Sequence, residues 1–185
     1  MIATTAALLL AGWFLWTIGE YVMHRFLMHA MKGRGIASRE HLDHHANRDS
    51  ILEKWALAWA GVLAVGAALA VNLHPALGAG WVLGYGFYDV HHRLAHRRGP
   101  AGRYTAWLRR HHLHHHFGHP NRNHGVTWSL WDRVFGTYDH VERIRIPRRM
   151  ALVSTPWLVD ADGELRPEHA GLYEVVGRRR ALDDA

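Results

Sequence analysis

Two long stretches of this chain exclude formal charge almost entirely, and they set the expected architecture. From Ile2 to Ile18 the residues are apolar apart from threonines, no Lys or Arg precedes Arg25, and Glu20 is the only carboxylate before His24. From Trp55 to His92 there is again no Lys or Arg, and the only carboxylate is Asp89. His74-Pro75 interrupts this second region, because a proline starts a helix far more readily than it continues one. At about 1.5 Å per residue, helices over Ile2–Ile18 and Trp55–Leu73 reach roughly 26 and 28 Å, close to a hydrocarbon core of about 30 Å. The pattern predicts an all-α integral membrane protein with about three transmembrane helices, near residues 2–23, 55–73 and 76–92, the last two forming a hairpin. Gly78, Gly80, Gly84 and Gly86 weaken the third as a free helix but suit close packing against neighbours in lipid.

All 22 basic residues fall outside these stretches, and they orient them. Lys32, Arg34, Arg39, Arg48 and Lys54 lie between the first two spans, and six arginines occur from Arg93 to Arg110, so the positive-inside rule places both segments in the cytoplasm. A cleaved signal peptide is the rival reading of the first stretch, and it lacks the basic leader such peptides carry. The net charge of +6, with Arg178, Arg179 and Arg180 in a row, would suit a nucleic-acid binder. Spans that exclude charge have no use in one, and attraction to anionic headgroups accounts for the basic residues, so no nucleic-acid partner is expected. The absence of cysteine rules out disulfides, thiolate metal sites and cysteine nucleophiles. Residues 1–140 are expected to form one membrane-embedded domain. Residues 141–185 are expected to form a cytoplasmic tail of short local structure, without chemistry of its own.

The candidate chemistry is carried by histidine. Ten of the 18 histidines fall into four clusters just beyond the apolar stretches: His24 with His29, His41 with His44 and His45, His92 with His96, and His112 with His115 and His116. In HxxHH the rings recur at i, i+3 and i+4, and in HxxxH at i and i+4, so a helix presents each set on one side. Five α-helical residues advance about 500°, roughly 140° past a full turn, so His24 and His29 either serve different ions or sit on a deformed helix. Neutral imidazole suits iron, copper, nickel and zinc, and two ions with about five donors each would use the whole set. The predicted topology brings every cluster to one side of the bilayer, in a helical cap on its cytoplasmic face.

Several neighbours are candidates to steady the ligand rings. Asp43 and Asn47 interleave the second cluster, and Asp89 stands three residues before His92; each is an acceptor for an imidazole N–H. His111 and His114 are expected to be bystanders or partners of the ligands, whereas His74, His140 and His169 are expected to be structural or solvated. NRNHGVTWSLWDRVFGTYD reads as a tight Asn/Gly turn and an aromatic run packed under the cap. Other catalytic templates are missing: there is no HExxH, no GxSxG and no phosphate-binding glycine loop.

In order from Gly19 to Tyr138, HRFLMH, HLDHH, YDVHHRLAH, HHLHHH, NHGVT and LWDRVFGT resemble the fatty acid hydroxylase/sterol desaturase superfamily of membrane di-iron oxygenases. EYVMHRF and WDRVFGT are most similar to its fatty acid hydroxylase branch. The resemblance maps HxxxxH, HxxHH, HxxxH and HxxHH onto His24, His29, His41, His44, His45, His92, His96, His112, His115 and His116. It implies two iron ions, which zinc can replace in purified protein. It further implies hydroxylation or desaturation of a lipid, above all a fatty acyl chain, with O2 and an external donor, either ferredoxin or a cytochrome b5-like protein with its reductase. The enzyme would reside in a bacterial-type inner membrane or an ER-type membrane, its metal site on the cytoplasmic side. Trp13, Phe14, Trp16, Trp81, Tyr85, Phe87 and Tyr88 would line the lipid's lateral route. Asn123 and His124 form the turn in which many relatives carry an aromatic at the second position; both are candidates to support the ligands or to serve as alternative ligands. VHHRLAH also aligns with carotenoid hydroxylases through His91, so the choice between His91 and His92 stays open. A carotenoid hydroxylase or a sterol-modifying oxidase is the enzymatic alternative. A histidine-rich metal transporter is the other, although its expected mid-membrane ionisable ligands are missing.

Overall fold

The structure is a computed structural model that describes residues 1–46 and 55–177. Asn47, Arg48 and Lys54, together with Arg178, Arg179 and Arg180, lie outside the described residues. α1 (Ile2–Val22) continues without a break into a π-helical segment, Met23–Ala30. A turn containing Gly33 and Gly35, both at positive φ, leads to α2 (Ile36–Ala46). α3 (Trp55–Asn72), α4 (Pro75–Arg97), α5 (Arg103–Phe117) and the short α6 (Leu130–Val134) follow. Among the described residues, one helical stretch, Ile2–Ala30, is long and apolar enough to cross a membrane; Ala56–Asn72 is a shorter apolar helix.

The α3–α4 hairpin forms where Pro75 demanded it. His74 caps α4 by accepting the Ala76 amide on Nδ1 at 3.1 Å, and Pro75 occupies the first turn, where no N–H is needed. α4 is the central element and packs most extensively against α1 and then α3. The approach to α1 is close enough that a Cβ on Gly80 would collide with the Leu9 carbonyl, and one on Gly12 with the Leu77 carbonyl. Between these contacts and the histidine clusters, Trp16 lies edge-on against Trp81 and Tyr85, both ring pairs at 5.0 Å. The Trp81 indole donates to the Val62 carbonyl of α3 at 3.2 Å. Leu10, Leu57, Leu63 and Val71 on α1 and α3 are exposed, an apolar surface that water would disfavour.

The end of α4 is joined to α5 through Arg109. Its buried guanidinium donates to the carbonyls of Leu94 at 2.9 Å, Arg98 at 2.6 Å and Thr105 at 2.9 Å. A cation there suits the C-terminal end of α4, where it supplies the Arg98 carbonyl beyond the last turn with a donor. Two helices that both carry histidine clusters are thereby locked in register.

The tail, expected to hold short local structure, packs its short elements against α5. β1 (Ile144–Pro147) and β2 (Tyr173–Val176) pair in parallel, Ile144 opposite Tyr173, with α7 (Arg148–Ser154) and a 3-10 turn (Pro167–His169) between them. Ile144 and Ile146 point inward at the two-residue period of a strand, and with Met150, Ala151, Leu158, Val159 and Tyr173 they close over Leu113 of α5. The segment folds because this apolar set has a partner surface on α5, so it forms a cap rather than a loose extension. The fold is therefore helical with a small parallel sheet.

The close α1–α4 approach yields a direct expectation. Gly80→Ala should destabilise the protein by about 1–3 kcal/mol, the usual cost of overpacking, because the obstructing atom is backbone. Thermal unfolding in detergent, followed by tryptophan fluorescence, checks it; an unchanged midpoint would contradict the packing described.

Candidate metal centre

The ten predicted histidines converge into two groups of five. The first holds His24, His29, His41, His45 and His115; the second holds His44, His92, His96, His112 and His116. Within each group the ligand nitrogens all lie within 4.8 Å of one another. α2 contributes to both because its HxxHH spacing sends His41 and His45 to one group and His44 to the other. α5 does the same, with His115 facing the first group and His112 and His116 the second.

The π-helical segment resolves the His24/His29 question in favour of a deformed helix. Closing hydrogen bonds at i to i+5 brings residues five apart onto one face, and the two rings sit 5.1 Å apart between centroids. An undistorted α-helix would have turned one of them away. Widened turns of this kind are frequent at functional sites.

The rings meet in a way that hydrogen bonding among them does not explain. His41 Nε2 lies 3.0 Å from His24 Nε2, 2.9 Å from His29 Nε2 and 3.0 Å from His45 Nε2. One imidazole nitrogen offers a single proton or a single lone pair, so it cannot serve three neighbours. In the second group, His44 and His92 Nε2 are 3.1 Å apart, and His96 and His112 Nε2 are 2.9 Å apart. His116 Nε2 is buried without a hydrogen-bond partner among the described residues. Two donors at right angles, each about 2.1 Å from an ion, are roughly 3.0 Å apart. The donor set therefore fits a metal in each group.

Protonation and orientation point the same way. Burial pushes His41, His44, His112, His115 and His116 well below the ordinary histidine range, and it lowers His45 to about 3. These rings are neutral, the form that coordinates. His24 Nδ1 donates to the His124 carbonyl, His115 Nδ1 to the Arg122 carbonyl at 2.7 Å, and His96 Nδ1 faces Ser154. An N–H directed outward to a carbonyl leaves the Nε2 lone pair facing the cluster.

The other predicted residues have different fates. His92 joins the second group, whereas His91 hydrogen-bonds the Phe87 carbonyl and stacks on its ring at 4.0 Å. Asp89 pairs with Arg93 at 3.0 Å, because that arginine follows one turn later on the same helix face. Asp43 lies on the exposed side of α2, opposite the buried His41 and His44, since HxxHH spends its inward positions on histidine. Asn123 adopts the left-handed region at φ 57, and its amide exchanges hydrogen bonds with the Asp139 backbone. His124 lines the first group at 5.4 Å from the His24 and His115 rings without joining the donor set; burial lowers it to about 4.

Sequence reasoning missed the anchor of this wall, Asp132. Its carboxylate is buried and accepts the amides of His124 and Gly125, the Thr137 hydroxyl and His111 Nε2 at 2.8, 2.8, 2.8 and 3.3 Å. His114 makes the analogous pair with Asp139 at 3.0 Å. His111 and His114 thus face away from both groups. Only the WDRVFGT motif itself hinted at Asp132.

A cavity of about 470 Å3 reaches His24 and His41 of the first group and His44 and His92 of the second. Its walls come from α1, α2, α3 and α4, including Leu57, Val62, Val65, Trp81 and Tyr85. Of the seven aromatics expected along a lipid route, Trp16, Trp81, Tyr85 and Tyr88 line it. Trp13 packs on Phe87 and Phe14 on Trp131 instead.

Fold and site together define a helical protein in which two groups of five histidines could each hold a metal ion, beside an apolar cavity. The comparisons name the class. Residues 9–137 match the family model described as fatty acid hydroxylase, and the chain belongs to that family. It is 34% identical over 137 residues to a dihydroceramide fatty acyl 2-hydroxylase of Arabidopsis thaliana, covering 68% of this chain and 58% of that protein. It is 31% identical over 144 residues to the fatty acid 2-hydroxylase of Homo sapiens, covering 70% and 39%. A solved structure of full-length scs7p, with only the hydroxylase domain visible, superposes with a TM-score of 0.62 at 28% identity, covering 75% of this chain and 57% of that one. The chain thus spans less than two thirds of each of these relatives.

Asp132→Ala should cost about 3–5 kcal/mol, because it orphans several buried donors at once. A thermal midpoint within two or so degrees of wild type would show that the 123–137 wall does not depend on it.

Proposed function

We propose that the protein is a membrane-bound di-iron oxygenase that hydroxylates the fatty acyl chain of a lipid, with O2 and electrons from an external donor. One observation carries this reading: a single apolar cavity touches ligands of both histidine groups. The five-histidine groups would each hold one ion. Iron supplies, once bound, the redox chemistry that O2 activation requires and that zinc lacks. In the net reaction a C–H bond becomes C–OH, and the second oxygen atom leaves as water with two electrons and two protons from the donor.

The chain's own residues provide placement. From Trp81 to Arg93 the cavity follows α4 for roughly 18 Å at 1.5 Å per residue. Trp16 and Trp81 mark its apolar end, and His24, His41, His44 and His92 its ligand end, near Glu40, Asp89 and Arg93. An acyl chain laid along it would keep its methyl end among Val62, Val65 and Trp81 and its carbonyl end near the ions. That orientation suits attack next to the carbonyl, in keeping with the 2-hydroxylases among the relatives. Charge exclusion in α1, α3 and the first part of α4 supports three spans, with the ions at the cytoplasmic face and the donor approaching from that side. Residues 1–140 would be the membrane-embedded unit, and the tail its outer cap.

Protein expressed with iron should contain two ions per chain and form 2-hydroxyacyl lipid, detected by mass spectrometry. His44→Ala or His115→Ala should each remove about one ion and abolish the product; unchanged iron with unchanged product would refute the proposal. Gly61 lines the cavity, and a Cβ there meets nothing within 4 Å. Gly61→Phe should therefore shift the product profile toward shorter acyl chains at unchanged metal content, and an unaltered profile would place the chain elsewhere.

A further inference from the structure

The two groups are held from outside by different parts of the chain. His24 and His115 turn their Nδ1 atoms to the carbonyls of His124 and Arg122, in a turn that lies inside the family match at residues 9–137. His96, in the second group, turns its Nδ1 to Ser154, with the hydroxyl oxygen at 3.0 Å and the carbonyl at 3.3 Å. Ser154 ends α7, lies beyond the matched residues and is fully buried. The Nδ1 atoms of His44, His112 and His116 are buried with no hydrogen-bond partner among the described residues, so the second group draws its outer support chiefly through His96.

Ser154 is well placed to give that support. The core beneath it, with Met150, Ala151 and Leu158, rests on Leu113 of α5, one residue from the ligand His112. Trp157 Nε1 donates to the Ala95 carbonyl at 3.1 Å, so the tail grips two consecutive residues of α4. A carbonyl only accepts, which places the His96 proton on Nδ1 and leaves the Nε2 lone pair facing His112 Nε2 at 2.9 Å.

We infer that Ser154 is a positioning residue for the second metal site: its hydroxyl and carbonyl orient His96, tying the occupancy of that one site to the C-terminal cap. This rests on the two-metal reading above. The test uses the full chain in detergent, loaded with zinc, and counts the ions released to a chelator. Ser154→Ala should weaken one of the two ions roughly 10- to 100-fold, the usual cost of losing a ligand's supporting partner, and leave the other unchanged. Ser154→Thr should restore it. Val175→Ala trims the tail's apolar packing and leaves the His96 bond in place; it should lower the thermal midpoint while both ions stay bound. A Ser154→Ala protein that keeps both ions as tightly as wild type, or loosens both alike, overturns the inference, as does Val175→Ala reproducing the same release. A wild type that binds fewer than two ions overturns the two-metal reading itself and this inference with it.

Discussion

The fold is governed by one electrostatic constraint: ten imidazoles are gathered where their ring nitrogens converge and cannot satisfy one another. Burying a polar nitrogen without a partner is costly, and the cost recurs at each ring turned inward. His41 Nε2 has three neighbours at hydrogen-bonding distance and can bond only one of them. A cation in each group would convert this deficit into coordination and would couple metal binding to folding. The helices that carry the rings then have to be rigid enough to hold them together before an ion arrives.

That rigidity comes from unlike devices at each helix. α1 and α4 meet backbone to backbone through Gly12 and Gly80, which fixes the spacing of the helices whose ends carry His24, His92 and His96. The widened turns of Met23–Ala30 then swing His29 back toward His24. Arg109 seals the end of α4 against α5. Asp132 holds the loop whose carbonyl receives the His24 proton. None of these groups belongs to either histidine group, yet each helps to place a ring within one, as a coordination sphere would demand.

Much of this was legible in the sequence because it is written in local periodicity. Charge exclusion located α1, α3 and α4, Pro75 located the hairpin, and the i, i+3, i+4 spacing of His41, His44 and His45 placed all three on one side of a helix. Other features depend on contacts far apart in sequence. Spacing alone left His24 and His29 on different faces, since a π-helical segment carries no local signature. Asp89 looked like a partner for His92, and the structure pairs it with Arg93. The tail was read as inert because its apolar alternation at Ile144 and Ile146 gains meaning only when Leu113 is known to await it. Ser154 could not have been singled out by any motif.

The arrangement also separates access from support. The cavity reaches His24, His41, His44 and His92, contributed by α1, α2 and α4, and none of the ligands on α5. His112, His115 and His116 form the far wall, backed by α5, the 122–137 loop and the tail core. On the proposed function, a hydrophobic chain would approach both histidine groups from the α1, α2 and α4 side, opposite the wall that α5 forms. For a reaction that activates oxygen beside an unactivated C–H bond, closure on one side and apolar entry on the other are the same requirement: the oxidant must meet the substrate before it meets solvent. The tail, outside the family's matched core, completes that closure on the side where the second group has least support of its own.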